Sequence, residues 1–308
     1  MTNTVIFLMG PTASGKTALA MELAKLYPID IISVDSAMIY KGMEIGTAKP
    51  SAEILQEFPH KLIDIKDPAE SYSVADFYHD ARREIESSLS KDRIPLLVGG
   101  TMLYFNALRK GLSELPKADE TIRQRLLEEA NVQGWPALHQ RLASIDPDAV
   151  AKIKPTDSQR IQRALEVYEL TGIPLSVLWV PGMEPLPYPI IALAIAPKDR
   201  KILHARIAER FKLMMSQGFI DEVKELQERG DLTDKLPSIR CVGYRQVCQY
   251  LNGELSLDEA IEKSIVATRQ LAKRQFTWLR AWPDLIWLDS DDADLVDKAK
   301  KALSNIIS

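Results

Sequence analysis

Apolar positions along this chain follow two kinds of pattern. Val5-Ile-Phe-Leu-Met9, Ile94 to Val98 and Ile190 to Ala196 are short apolar runs, the form taken by strands buried on both faces. Ile29 to Val34 is a further strand that stops at Asp35. Between these runs the spacing turns helical: Leu19, Leu23 and Leu26 mark a helix over Lys16 to Tyr27, and further helices are predicted over Ser73 to Leu89 and Thr101 to Leu108. Strands alternating with helices predict a parallel sheet whose ligands bind at the carboxyl ends of the strands.

After Gly111 the pattern changes. From Lys117 to Gly172 only helical segments are predicted, divided by Gly134-Trp-Pro136, Asp146-Pro147 and Lys154-Pro155. The last is marked by a Thr156/Gln159 capping box, by Ile161, Ala164, Leu165 and Tyr168 on one face, and by Gly172. A proline-rich link (Pro174, Pro181, Pro185, Pro187, Pro189) leads back to a strand, and the last third is mostly helical, with Leu255 to Trp282 the longest helix. The expected fold is α/β: a P-loop NTPase-like parallel sheet core over 1–112 and 188–308, an all-helical insertion over 113–187, and a helical C-terminal region.

At 308 residues and 46% apolar, the chain can bury a full core. Cys241 and Cys248 have no nearby histidine, and the four histidines are scattered, so neither a disulfide framework nor a zinc site is predicted. Met1 leads into an apolar run with no basic region before it, and the longest apolar stretch is too short to cross a bilayer. A cytoplasmic protein with no membrane partner is expected.

The chemistry concentrates at Gly10-Pro11-Thr12-Ala13-Ser14-Gly15-Lys16-Thr17, which satisfies G-x-x-x-x-G-K-[ST] between a buried strand and a helix. Backbone amides and a helix N-terminus can converge there on phosphate oxygens, Lys16 supplies a cation, and the Thr17 hydroxyl can ligate Mg²⁺. Kinases, ATPases and GTPases share this loop. No N-K-x-D base-reading motif occurs, and the third strand runs into Gly99-Gly100-Thr101 where many NTPases carry a metal-binding Asp, which weakens a switch reading. Asp35, at the end of the second strand, can accept a proton or hold Mg²⁺ through water, a role its position favours over that of a turn residue or N-cap. Thr101 can hydrogen-bond a reacting group or cap a helix.

Net charge is −4, which argues against a uniformly basic RNA-binding protein. The sign is unevenly distributed, however. Lys263, Arg269, Lys273, Arg274 and Arg280 lie in a stretch without acid, with Arg269, Lys273 and Arg280 on one helical face. The tail from Asp284 carries six aspartates against three lysines. Arg240 and Arg245 flank Gly243-Tyr244, and Gln159, Arg160 and Arg163 form a third cluster. A charged helix face is commonly just solvated, but three clusters beside a phosphate loop favour a polyanionic substrate.

Together, Gly10 to Thr17, Ser33-Val-Asp35-Ser-Ala-Met-Ile-Tyr40, Gly46-Thr-Ala-Lys-Pro50, Val98-Gly-Gly-Thr-Met-Leu-Tyr104, Arg160 to Val167, Leu236 to Arg245 and Thr268 to Gln275 resemble the tRNA dimethylallyltransferase family almost from end to end. That resemblance implies transfer of a dimethylallyl group from its diphosphate to N6 of adenosine-37, beside the anticodon of tRNA, with Mg²⁺. The phosphate loop would then bind an isoprenoid diphosphate, with Arg210 as a further clamp. Asp35 would take the proton from N6, and Thr101 would hold the amine. The family's tRNA contacts fall on Asp35, Ser36, Ala37 and Met38; on Gln159, Arg160, Ile161, Gln162 and Arg163; on Arg240, Cys241, Val242, Gly243, Tyr244 and Arg245; and on Lys273, Arg274, Gln275, Phe276, Thr277, Trp278, Leu279 and Arg280. Thr101 and Arg123 are single contacts, and a monomer is expected. A nucleotide or nucleoside kinase and a non-catalytic P-loop RNA-binding protein are the rival readings from the loop and the basic clusters alone.

Overall fold

The computed structural model describes residues 3–180 and 182–304; Pro181 of the proline-rich link lies outside them. Six strands, β1 (Val5–Met9), β2 (Ile29–Val34), β3 (His60–Lys61), β4 (Ile94–Gly99), β5 (Ile190–Ala196) and β6 (Ile286–Asp289), form one sheet in the order β3-β2-β4-β1-β5-β6. Every pairing is parallel. The helices are α1 (Lys16–Leu26), α2 (Ala52–Glu57), α3 (Val74–Leu89), α4 (Met102–Lys110), α5 (Glu120–Gln133), α6 (Trp135–Ile145), α7 (Pro147–Val150), α8 (Ser158–Thr171), α9 (Arg200–Ser216), α10 (Phe219–Glu228), α11 (Tyr244–Leu251), α12 (Leu257–Arg280) and α13 (Leu295–Leu303). No helix among the described residues is long and apolar enough to cross a membrane.

The chain divides into two compact units, residues 1–106 with 187–308, and residues 107–186. In the first, every residue of β1 and β4 is buried, as continuous apolar runs require when helices cover both faces of a sheet. Ile6, Leu8, Leu96, Leu193 and Ile195 pack with Leu19 and Leu23 of α1 and Leu303 of α13. The second unit has its own core, in which Leu126, Leu138, Leu142, Ile161 and Leu165 bring α5, α6 and α8 together.

Several local details depart from the sequence pattern. The cap of α8 is Asp157, whose side chain accepts from the Arg160 amide, in place of the expected Thr156/Gln159 box. A carboxylate one residue closer to the helix takes the amide three residues on, that of Arg160, and moves the start along by one. The strands β3 and β6 were not predicted. One is two residues long, and the other sits at the sheet edge with Ile286 and Trp287 exposed, so neither leaves a periodic signal.

Register is what assembles the site. Met9 and Val34 both pair with Gly99, so β1, β4 and β2 end side by side. The residues that follow those ends are the phosphate loop, Asp35 and Gly100-Thr101. They meet although 65 residues separate Ser36 from Thr101, whose hydroxyl accepts a 3.2 Å hydrogen bond from the Ser36 amide.

Candidate active site

The three strand ends open into a cavity of about 800 Å³. Its floor is the phosphate loop, from Thr12 to Thr17; Asp35 to Met38 and Gly99 to Thr101 form the rim beside it. Three further segments close the walls: Gly46 to Ala48 with Pro50, one face of α9, and Arg240 to Val242 with Tyr244. Thr268, Leu271, Arg274, Gln275 and Trp278 of α12 complete the enclosure.

The loop's backbone is built for an anion. Gly15 at φ 90° and Ala13 at φ 62° turn the chain so that α1 begins at Lys16 with its first amides directed at the cavity. Ser14 is fully buried, and its hydroxyl has no hydrogen-bond partner among the described residues. Lys16 Nζ donates to the Pro11 carbonyl at 2.7 Å and forms no ion pair among the described residues. Burial, reinforced by the Arg210 guanidinium and opposed by Asp35, pulls the Lys16 ammonium down to about 7. Burial likewise lowers Arg210, against the pull of Asp35. Two desolvated cations thus face one cavity in which Asp35 is the one lining carboxylate among the described residues, an arrangement suited to an anion.

Asp35 is held from one side. Its Oδ1 accepts from the Ala37 amide at 2.8 Å and the Met38 amide at 3.2 Å, which leaves Oδ2 without a hydrogen-bond partner among the described residues. The turn is thus held by one oxygen of the carboxylate, and the other is open to a ligand. Beside it, Cys241 is pushed up to about 12 by burial and by Asp35, so its thiol stays protonated.

Helix α9 presents Ile207, Phe211 and Met214 to the cavity at i, i+4, i+7, with Arg210 between them. The result is an apolar wall with one cation set into it. The spacing was present in the sequence, but this helix is apolar on more than one side, so the stripe did not stand out.

Glu222 of α10, which the sequence gave no reason to single out, anchors the opposite wall. One oxygen accepts from the Glu44 and Ile45 amides at 2.8 and 2.7 Å; the other accepts from the Gly46 amide at 3.0 Å and the Tyr244 hydroxyl at 2.6 Å. Four donors on one carboxylate account for why the 46–50 and 236–245 segments belong to one structure. Burial and Glu222 together drive the Tyr244 phenol far above its usual range. Lys49 points away from the cavity, its side chain fully buried and bonded to the Tyr40 carbonyl, Glu44 and Asp64. Glu222→Gln is expected to lower the unfolding free energy by about 2 kcal/mol, since an amide cannot accept from all four donors. Tyr244→Phe should cost about 1 kcal/mol, and the pair less than the sum, as denaturant titration of a double-mutant cycle will measure.

Not every residue expected to touch a substrate is exposed. Tyr244, Leu279 and Ile161 are fully buried, Gly243 and Phe276 are buried, and Gln275 is 7% exposed. Of these, Tyr244 and Gln275 line the cavity wall, and the segments reach the surface through Arg240, Arg245, Lys273, Arg274, Thr277, Trp278 and Arg280. The expected stripe of Arg269, Lys273 and Arg280 does not line the cavity; Arg269 reaches the His204 carbonyl, and Arg280 lies over the Phe276 ring at 5.7 Å. Arg274 and the 40% exposed Trp278 occupy the face that does. In the 107–186 unit, buried Glu166 pairs with Arg123 at 2.9 Å and Arg163 at 2.7 Å, while Gln162 donates to the Arg123 carbonyl. Arg160 is exposed beside Asp157.

Among the described residues no group of three or more His, Cys, Asp or Glu is placed to hold a metal ion. The cavity offers the Thr17 hydroxyl and the Asp35 carboxylate. That sparse oxygen set suits Mg²⁺, which keeps several waters and takes its remaining ligands from a substrate's phosphates, and does not suit a protein-caged ion.

A parallel sheet with a phosphate loop after one of its two central strands, and an acid and a hydroxyl at the neighbouring strand ends, is the architecture of a P-loop α/β protein. The sequence pattern of the IPP transferase family matches residues 38–282, and the chain belongs to that family. It is 56% identical to the tRNA dimethylallyltransferase 2 of Hahella chejuensis over 97% of this chain and 94% of that protein. Among solved structures it is similar to the full-length tRNA isopentenylpyrophosphate transferase of Bacillus halodurans, with a TM-score of 0.71 at 38% identity, covering 98% of this chain and 97% of that one. A eukaryotic dimethylallyltransferase acting on tRNA superposes with a TM-score of 0.81 at 26% identity, covering 98% of this chain and 78% of that one.

Proposed function

We propose that this chain transfers a dimethylallyl group from dimethylallyl diphosphate to N6 of adenosine-37 of tRNA, releasing diphosphate. The observation that carries the reading is the pairing of Lys16 and Arg210, desolvated and without ion pairs among the described residues, with Asp35 and an apolar wall in one cavity. A diphosphate would take the loop amides, the free Ser14 hydroxyl, Lys16 and Arg210. Its short hydrocarbon tail would lie along Ile207, Phe211 and Met214.

In the reaction N6 attacks the allylic carbon, an N–C bond forms, the C–O bond to diphosphate breaks, and the proton on N6 goes to Asp35. Oδ2 is the oxygen free to take it, because Oδ1 is held by two amides. Thr101 would orient the amine from the adjoining strand end. Lys16, Arg210 and the loop amides stabilise the charge that collects on the leaving diphosphate. Thr17 would help hold Mg²⁺, which would supply further neutralisation of that charge. The adenine must leave the stack of the anticodon loop to reach the cavity, where the exposed Trp278 offers a ring face beside Arg274. Arg123, Gln159, Arg160, Gln162 and Arg163 of the 107–186 unit, with Arg240, Arg245 and Lys273, would grip the stem-loop. The 107–186 unit then serves as a tRNA-contacting domain, and a cytoplasmic monomer goes with this reading.

Pyrophosphate release from dimethylallyl diphosphate should depend on tRNA, and mass analysis of the nucleosides should find the prenylated adenosine. ATP consumption without RNA, or RNA binding with N6 unmodified, would defeat the assignment. Lys273→Ala should weaken tRNA binding and lower the slope of log K against log salt by about one unit if the contact is to phosphate. An unaltered slope would remove Lys273 from the phosphate contacts.

A further inference from the structure

Gln275 sits on α12 with its side chain buried, yet both ends of its amide are committed to the site's backbone. Its Oε1 accepts from the Thr12 amide of the phosphate loop at 3.0 Å, 263 residues away in sequence. Its Nε2 donates to the Gly100 carbonyl at 2.9 Å, one residue before Thr101. The orientation is fixed by chemistry, because an N–H can only donate and a carbonyl can only accept. Gly100 is shaped to receive it: a Cβ there would lie 2.3 Å from Nε2. One side chain therefore spans the loop that would hold the donor's diphosphate and the strand end that would hold the acceptor's amine. Its own helix offers Arg274 and Trp278 to the same cavity.

Resting on the function proposed above, we propose that Gln275 is a positioning residue that couples donor and RNA binding. The Thr12–Gln275–Gly100 bridge makes the phosphate loop, the Thr101 strand end and α12 one mechanical unit. A ligand that orders the phosphate loop then pre-arranges the helix and strand end that the RNA needs, and RNA on α12 pre-arranges the loop. The two affinities are raised by the same factor, as linkage demands. Glutamine is required at this position because the bridge needs an acceptor and a donor on one short planar group. Glu could serve Thr12 but would face the Gly100 carbonyl with a second acceptor; Met would fill the space and serve neither.

The test measures binding of an anticodon stem-loop RNA to the full chain, with and without saturating magnesium pyrophosphate, and the reciprocal titration. In the parent protein pyrophosphate should tighten RNA binding by about tenfold, within the usual range of coupling between sites. In Gln275→Met that factor should fall to about two or less, whatever the RNA affinity without pyrophosphate. Gly100→Ala, which displaces the amide from the other end, should lose the same coupling, and the double variant should lose no more than either alone. Should Gln275→Met fail to fold, Gly100→Ala carries the same test, and Gln275→Glu supplies a third variant. A parent protein that binds both ligands independently, or variants that keep the parent's coupling factor, would overturn the role given to Gln275 and leave the proposed reaction intact. A parent protein that binds neither pyrophosphate nor the stem-loop would overturn the reaction itself.

Discussion

Asparagine in place of Asp35 is expected to lower kcat by about 10²–10⁴-fold, the range for loss of a positioned general base, while leaving tRNA binding within about twofold. The structure dictates the choice of variant. Asp35 Oδ1 organises the 35–38 turn through the Ala37 and Met38 amides, so alanine would remove the proton acceptor and release the turn together. Asparagine keeps an oxygen for the two amides and lacks only the ability to take the N6 proton. If turnover of Asp35→Asn matches the parent under single-turnover conditions, Asp35 is not the base. If Asp35→Asn and Asp35→Ala lose the same kcat but only alanine weakens tRNA binding, the two functions of the side chain separate as the hydrogen bonds require. Pyrophosphate binding should persist in both variants, and should tighten slightly, because a negative charge has been removed from beside Lys16 and Arg210.

What could be read in the sequence were features whose cause is local. The runs at Val5–Met9 and Ile190–Ala196 announce strands because both faces are buried. Gly10 to Thr17 announces an anion site because its residue types and its place between strand and helix enforce one geometry. Asp35 and Thr101 were visible as strand ends, and parallel register does the rest. Features whose cause is distant were not visible. Glu222 is an ordinary acidic residue on a helix until Ile45, 177 residues away, brings its amide to it. The amide of Gln275 fell within a segment expected to touch RNA, yet its partners, Thr12 and Gly100, lie 263 and 175 residues away. On α12 the periodicity grouped Arg269, Lys273 and Arg280 correctly as one face. It could not say that the cavity would lie against the opposite face, which carries Arg274 and Trp278. Periodicity orders the residues around a helix, and only the packing partner chooses which of them look inward.

Lys16→Met should make the ligand-free protein more stable and almost inactive. Burial holds the Lys16 ammonium near 7, against an ordinary value of 10.5 in the unfolded chain. Between those two values the unfolded state binds a proton that the native state does not, so stability rises with pH across that window; below about 7 both states are protonated and the full cost of the buried charge is present. Methionine has nearly the same length, packs as an apolar side chain, and removes that cost. The midpoint of thermal unfolding at pH 7 should rise by about 2–4 °C for each kcal/mol regained, and the pH dependence attributable to Lys16 should vanish from the difference between the two proteins. Activity should move the other way, with kcat/KM lower by at least about 10²–10³-fold, since Lys16 is one of the two desolvated cations that would face the charge developing on diphosphate. The ligand resolves the conflict in the parent protein. A bound diphosphate restores the proton to Lys16, so pyrophosphate binding above pH 7 should take up protons, seen as a dependence of calorimetric enthalpy on buffer ionisation that Lys16→Met lacks. A variant that loses activity without gaining stability, or that keeps the parent's proton uptake, would mean that Lys16 is not the desolvated cation of the site. The combination of a gain in stability and a loss of turnover at one position distinguishes a charge held ready for a substrate from one that merely supports the loop.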